Sequence, residues 1–164
     1  MRKQSIREVV RLESMTNKFL RNDIPSPCYV CDEAKLEQNL QLMQYVQDKA
    51  GVDIILALKG FSMWSTFPLV KQYLKGATAS AVWEAKLANY EMGGEVHCYS
   101  PAYKQKDIDQ LLDLVHHLSF NSINQWNQFK EQVSNSTVSA GLRVNPENQE
   151  ADTPLYDPCA PGSR

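Results

Sequence analysis

Lys59 is the residue whose chemical type and position point most directly to covalent catalysis. It follows an uninterrupted apolar run over residues 54–58, and a short run without alternation is typical of a strand buried on both faces. A lysine there is expected to lie where water is scarce, and desolvation favours the neutral amine that attacks a carbonyl carbon. The alternative is a lysine that merely ends a strand and reaches solvent.

The cysteines offer a second possible chemistry. Cys28 and Cys31 form a C-x-x-C, but the residues between them favour a strand, on which the two thiols would point to opposite faces. His97 and Cys98 are adjacent, and Cys159 stands alone in a proline-rich loop, which is poor spacing for a zinc site. We therefore predict neither a redox site nor a metal site, and interpret the cysteines as reduced or buried thiols.

The first part of the chain is predicted to hold two helices separated by a short strand. A capping box that starts at Ser5 indicates a helix over residues 6–20. Residues 28–31 favour a strand. Asp32 is expected to cap a second helix that ends at Gly51.

From residue 53 onward, strands and helices alternate. Repeated β-α units of this size predict a parallel sheet. Trp83, Leu87 and Tyr90 are expected to form the inward face of one helix. The predicted strands are residues 53–58, 77–80, 95–99, 118–120 and 138–144, and the helices cover about 65–75, 82–92 and 107–115, with a last one carrying Trp126 and Phe129.

Length and composition narrow the architecture and the partners. A closed eight-stranded barrel needs about 250 residues, so a chain of 164 residues is expected to be the N-terminal portion of a longer barrel protein. The formal net charge is -2 and the 17 lysines and arginines are dispersed, which argues against nucleic acid as a partner. No stretch reaches membrane-spanning length, so we expect a cytoplasmic protein without a membrane partner.

Six separated sequence words occur in the order found in one enzyme family. The chain resembles carboxynorspermidine/carboxyspermidine decarboxylases over about residues 24–164. These are pyridoxal-phosphate (PLP) enzymes of the alanine racemase-like TIM barrel class, related to diaminopimelate and ornithine decarboxylases. The words are Ile24–Val30, Leu56–Lys59, Gly76–Ser80, Gly93–Ser100, Gly141–Pro146 and Tyr156–Arg164.

The resemblance implies roles for three residues. Lys59 would hold PLP as a Schiff base and carry a proton, and Arg143 would lie near the cofactor instead of being an ordinary paired or solvated charge. His97 is expected to end the third barrel strand and line the pocket floor, although a strand histidine is more often a hydrogen-bonded core residue. Ser80 and Glu84 are interpreted as helix-capping residues rather than cofactor contacts.

The resemblance also implies a division of the chain and parts that follow it. Residues 1–23 are predicted to be an N-terminal helical extension, and residues 24–164 a partial PLP-binding barrel domain. The family's glycine-rich phosphate loop, and the residues contributed across its homodimer, would follow Arg164. The 164-residue chain alone is therefore expected to be inactive.

Three functions remain open at this point. The first is decarboxylation of carboxynorspermidine or carboxyspermidine to norspermidine or spermidine in polyamine biosynthesis. The second is another PLP barrel decarboxylase, of the diaminopimelate or ornithine type, because no substrate-reading residue can be derived from the sequence. The third is a truncated, non-catalytic paralogue that binds a partner chain. Lys59 argues against the third, because no structural role requires a lysine there.

Overall fold

Strands and helices alternate along the chain in the structure, a computed structural model that describes residues 27–150, 152–153, 157 and 159–160. Five parallel strands form one sheet in the order β1-β2-β3-β4-β5. The strands are β1 (Ile55–Ala57), β2 (Gly76–Ala79), β3 (Glu95–Tyr99), β4 (His117–Phe120) and β5 (Ser139–Leu142). This sequential order is that of an α/β barrel. The predicted α/β class and the five predicted barrel-type strands are confirmed.

Helical segments connect these strands and cover one side of the sheet. A short 3-10 turn precedes α2, and α3 continues directly into one π-helical segment. The helices are α1 (Glu33–Ala50), α2 (Phe67–Val70), α3 (Val82–Leu87), its π-helical continuation (Ala88–Met92), α4 (Gln105–Leu111) and α5 (Ile123–Ser134). No helix in the described part of the chain is long and apolar enough to cross a membrane.

The predicted helix after Asp32 is confirmed as α1, with both predicted ends. Asp32 Oδ1 accepts hydrogen bonds from the backbone N–H groups of Ala34 and Lys35 at 3.1 and 3.3 Å. These bonds satisfy N–H groups that have no partner within the helix. Gly51 ends the helix in the left-handed region at φ 64°, which a residue without a Cβ adopts at little cost.

Gln47 attaches α1 to the sheet. Its side chain is buried, donates to the carbonyl of Tyr73 at 2.9 Å and accepts from the backbone N–H of Ile54 at 2.7 Å. A buried amide with both ends satisfied fixes the helix against the segments before β1 and β2.

The sheet has one face packed against the helices and one face that the described helices leave uncovered. Residues of β3 and β4 alternate between the two faces. The buried set, which packs in the core with the helices, includes Val96, Cys98, Leu118 and Phe120. We call the other side the open face; it carries Thr78, Glu95, His97, Tyr99, His117 and Ser119, all partly buried.

Two predictions about elements are wrong. Residues 28–31 form no strand, because no described strand lies beside them to pair their backbone. Trp83 and Tyr90 do not face inward and are 77% and 70% exposed. The helix instead turns the small residues Ala85 and Ala88 toward the sheet, where they are fully buried and allow a close approach to β2.

The burial of β1 also differs from the expectation. Its three residues are partly buried rather than buried on both faces, because β1 is an edge strand of the described sheet. The predicted helix over residues 6–20 lies outside the described residues.

Candidate active site

The carboxyl ends of the five strands meet at one edge of the sheet, which we call the C-terminal edge. In α/β barrels the residues that do chemistry lie at this edge, because the βα loops that follow the strands shape the site. The residues that closely follow the strands there are Lys59, Ser80, Ser100, Asn121 and Arg143.

Lys59 follows β1 within a tight turn. The backbone N–H of Leu58 still bonds to Thr78 on β2 at 3.2 Å, and that of Gly60 closes back onto Ala57 at 2.9 Å. Lys59 is exposed rather than desolvated, because no described residue covers this edge of β1. Its ammonium makes no hydrogen bond or ion pair with any described residue. The amine is therefore available to an incoming ligand.

Arg143 is held in a hydrogen-bonded group that spans β3, β4 and β5. Its Nη1 donates to Tyr99 Oη at 2.9 Å and to Asn121 Oδ1 at 3.4 Å. Tyr99 Oη in turn donates to Asn121 Oδ1 at 2.7 Å, and the guanidinium carbon lies 5.5 Å from the centroid of the Tyr99 ring. Two side chains therefore fix where the positive charge is presented.

The guanidinium of Arg143 still has unused hydrogen-bond donors in this position. Its bonds to Tyr99 and Asn121 both use Nη1, so Nε and Nη2 make no hydrogen bond with a described residue. A guanidinium offers five N–H donors in a planar fork that matches a carboxylate or a phosphate. This edge of the sheet can therefore hold an anionic group.

His97 does not end its strand, contrary to the sequence prediction. β3 continues to Tyr99, so His97 lies one layer below the C-terminal edge on the open face. Its ring lies against that of His117, with centroids 4.2 Å apart, and its Nε2 is 3.3 Å from Glu95 Oε2. The hydrogen bond to His97, with help from the ammonium of Lys75, lowers the pKa of Glu95.

The structure therefore places the three predicted residues at separate points of one face. Lys59 and Arg143 follow the two outer strands, and His97 lies between them in the lower layer. No hydrogen bond joins any two of them among the described residues. Tyr99 and Asn121 were missed by the sequence analysis, although Asn121 could have been found by its place after a predicted strand.

The predicted capping role is wrong for Ser80, whereas Glu84 does support the start of α3. Glu84 Oε2 accepts a hydrogen bond from the backbone N–H of Ser80 at 2.7 Å. Ala81, not Ser80, occupies the cap position of α3 and makes no side-chain cap bond. The capping contribution therefore comes from the carboxylate of Glu84.

The chain is similar to several decarboxylases in sequence. It is 45% identical over 143 residues to carboxyaminopropylagmatine decarboxylase of Synechocystis sp.. It is 42% identical over 141 residues to carboxynorspermidine/carboxyspermidine decarboxylase of Campylobacter jejuni and 39% identical over 141 residues to that of Herminiimonas arsenicoxydans. These alignments cover 87%, 86% and 86% of this chain.

A solved structure agrees with these relatives. The crystal structure of carboxynorspermidine decarboxylase from Campylobacter jejuni, complexed with norspermidine, matches 79% of this chain with a TM-score of 0.74 and 40% sequence identity. The predicted resemblance is confirmed. The chain spans only 36–38% of the length of the three curated relatives and 35% of the solved chain. A comparison with models of known protein families finds no match.

Proposed function

We propose that the protein containing this chain is a PLP-dependent decarboxylase of a carboxylated polyamine, carboxynorspermidine or carboxyspermidine, with PLP attached to Lys59. One observation carries this proposal: a lysine with an unengaged ammonium follows β1 at the C-terminal edge, in a chain 39–45% identical to such decarboxylases. The norspermidine bound in the Campylobacter jejuni structure supports norspermidine as one product. On the resemblance alone, we extend the proposal to spermidine as a product and to a barrel fold in a cytoplasmic homodimer.

The described residues fit the cofactor's chemical groups. Lys59 offers an amine that can form a covalent bond with an aldehyde carbon, and Arg143 offers donors for an anionic oxygen. PLP, when bound, supplies the electron sink that accepts the electrons left behind when CO₂ departs.

Lys59 and Arg143 would act directly in this reaction, and His97 would have a supporting position. With the cofactor bound, the amine of Lys59 would lie beside the reacting carbon and could supply the proton that takes the place of CO₂. Arg143, held by Tyr99 and Asn121, balances negative charge at the other end of the edge. His97 would support the floor of the pocket from the layer below.

A separate observation supports a second candidate substrate. One relative, at 45% identity, is named for carboxyaminopropylagmatine rather than for a carboxylated spermidine. The geometry of the described residues does not distinguish carboxyaminopropylagmatine from the carboxylated spermidines. The same experiment therefore includes all of these substrates.

The test measures CO₂ release by the whole protein with PLP and each of the three carboxylated polyamines. We expect release on the order of 1 per second or faster with at least one substrate. Lys59→Arg keeps the charge but removes the covalent link, so its activity should fall below detection. Lys71→Arg, a substitution at another exposed lysine, should leave the rate unchanged.

Two results would overturn the proposal. One is the absence of CO₂ release from all three substrates by a folded protein that binds PLP. The other is a Lys59→Arg variant that works as fast as the wild-type protein.

A further inference from the structure

Three metal-binding side chains converge on the open face below the C-terminal edge. Glu95, His97 and His117 each place one ligand atom in a group whose members all lie within 4.8 Å of one another. Glu95 Oε2 is 3.3 Å from His97 Nε2 and 3.9 Å from His117 Nε2. This cluster shares no residue with the group formed by Tyr99, Asn121 and Arg143.

The strands bring these side chains together. Glu95 and His97 are two residues apart on β3, so they point to the same face. His117 is the register partner of His97 on β4. As a possible metal ligand, His97 has only Cys98 beside it in the sequence, and Cys98 is buried on the opposite face. Strand register, which the sequence does not reveal, supplies the third ligand.

The spacing suits a small divalent ion. A tetrahedral zinc ion with bonds of about 2.0–2.1 Å holds neighbouring ligand atoms about 3.3 Å apart. The separation between Glu95 and His97 already has this value at 3.3 Å, whereas His117 Nε2, at 3.9 Å from Glu95 Oε2, would have to move about 0.6 Å closer. The side chains are 33–43% exposed, so an ion can reach them.

Lys75 and Asp53 complete the surroundings of the carboxylate. Lys75 Nζ lies 3.2 Å from Glu95 Oε1, which leaves Oε2 facing the two histidines. The same ammonium lies 2.7 Å from Asp53, whose charge offsets that of Lys75. Lys75 therefore fixes the orientation of the Glu95 carboxylate, as outer partners do in established metal sites.

We propose that Glu95, His97 and His117 form a binding site for one Zn²⁺ or a similar divalent transition-metal ion. Two imidazoles and one carboxylate are ligands that zinc accepts, and a fourth position stays open to water or to a substrate group. The site lies on the same face as the proposed PLP site but one layer deeper, and it includes His97 from the proposed pocket floor. Its test measures metal binding rather than CO₂ release, so the two proposals can fail separately.

The test is calorimetric titration of the untagged chain with Zn²⁺, repeated with Co²⁺ followed by visible absorption. The protein carries Cys28→Ser, Cys31→Ser and Cys159→Ser, so that exposed and partly exposed thiols do not bind the metal. We expect one ion per chain. His97→Ala, His117→Ala and Glu95→Gln should each weaken binding by more than the roughly 10–100-fold that loss of an outer partner costs, and Lys75→Ala by about tenfold.

His116→Ala is the matched control. His116 is adjacent in sequence, but its Nδ1 accepts from the backbone N–H of Val96, and it is not in the cluster. The variant should bind Zn²⁺ as the parent does. Circular dichroism confirms that each variant is folded, and Glu95→Gln keeps the test decisive if a histidine variant unfolds. Binding that is absent in the parent, or that survives Glu95→Gln unchanged, would overturn the proposal.

Discussion

Arg143 presents its charge from a fixed place, because Tyr99 and Asn121 both accept from one of its nitrogens. Replacing it with glutamine removes the charged donors, and a hydrogen bond to a charged group contributes about 1.5–3 kcal/mol. We therefore expect Arg143→Gln to weaken PLP binding by about tenfold or more in an absorbance titration. Lys130→Gln, on the exposed side of α5, serves as the control. Equal PLP affinity for the two variants would contradict this role of Arg143.

Cys98 should be the least reactive thiol of the described chain. Burial raises the pKa of Cys98 to about 11, whereas Cys28 and Cys159 are exposed. Because the thiolate is the reactive form, a raised pKa leaves little of it at about pH 8. Mass spectrometry after iodoacetamide treatment should find Cys28 and Cys159 modified and Cys98 intact until urea unfolds the protein. Equal labelling of Cys98 in the folded state would disprove this prediction.

The positions of single residues in the fold could be predicted from the sequence where a place at the end of a strand was sufficient to locate them. Lys59 and Arg143 were expected at strand ends, and both lie there. The place of Asn121 after a strand could be predicted, but its contact and that of Tyr99 with Arg143 could not, because they form across strands whose register is set by the fold. The sequence also did not show that Lys59 is exposed, because its burial depends on which residues cover the C-terminal edge of β1.

The pairing of β2 with β3 depends on Gly76. A Cβ at this position would overlap the backbone of Glu95, which has no room to move within the sheet. We expect Gly76→Ala to lower the free energy of unfolding by at least about 3 kcal/mol. Gly60→Ala is the control, because its Cβ would meet only Ala57 O, at an ordinary 3.5 Å. Urea unfolding monitored by circular dichroism measures both, and equal midpoints would show that this close approach is not required.

Elements were predicted well where short-range signals agree. The Asp32 cap, the Gly51 end and the alternation of apolar runs with amphipathic stretches were enough to place α1 and the strands. These short-range signals failed where tertiary packing determines which residues of a helix are buried. Trp83 and Tyr90 have the spacing of an inward face, but Ala85 and Ala88 occupy the close approach to β2 and the two aromatic side chains stay exposed.

The whole described molecule leaves a large apolar stripe on α1 uncovered. Leu42, Tyr45 and Val46 are 63%, 59% and 44% exposed. Burying a Leu or Val side chain contributes about 1.5–3 kcal/mol, so we expect the 164-residue chain to self-associate through this stripe.

Sedimentation velocity of a double variant, Leu42→Glu with Val46→Glu, tests this expectation. Association should weaken by at least about tenfold, because two apolar contacts are lost. Ile123→Glu, at an exposed apolar position on α5, should leave it unchanged. A wild-type chain that stays monomeric at high concentration would show that the stripe does not drive association.

At this largest scale the sequence predicted the class of fold but not the surroundings of the site. Sequential β-α units are enough to predict parallel strands in the order of a barrel. What covers Lys59 and α1 depends on contacts that no local pattern describes.

Lys59 is the residue proposed to form the covalent link to PLP. The direct measurement is borohydride reduction of the PLP-treated protein, followed by peptide mapping of the pyridoxyl group by mass spectrometry. We predict the label on Lys59 in the wild-type protein and its loss in Lys59→Arg, because no other described lysine lies within two residues of the C-terminal end of a strand. A label on Lys71, Lys75 or Lys104 with Lys59 unmodified would contradict the account.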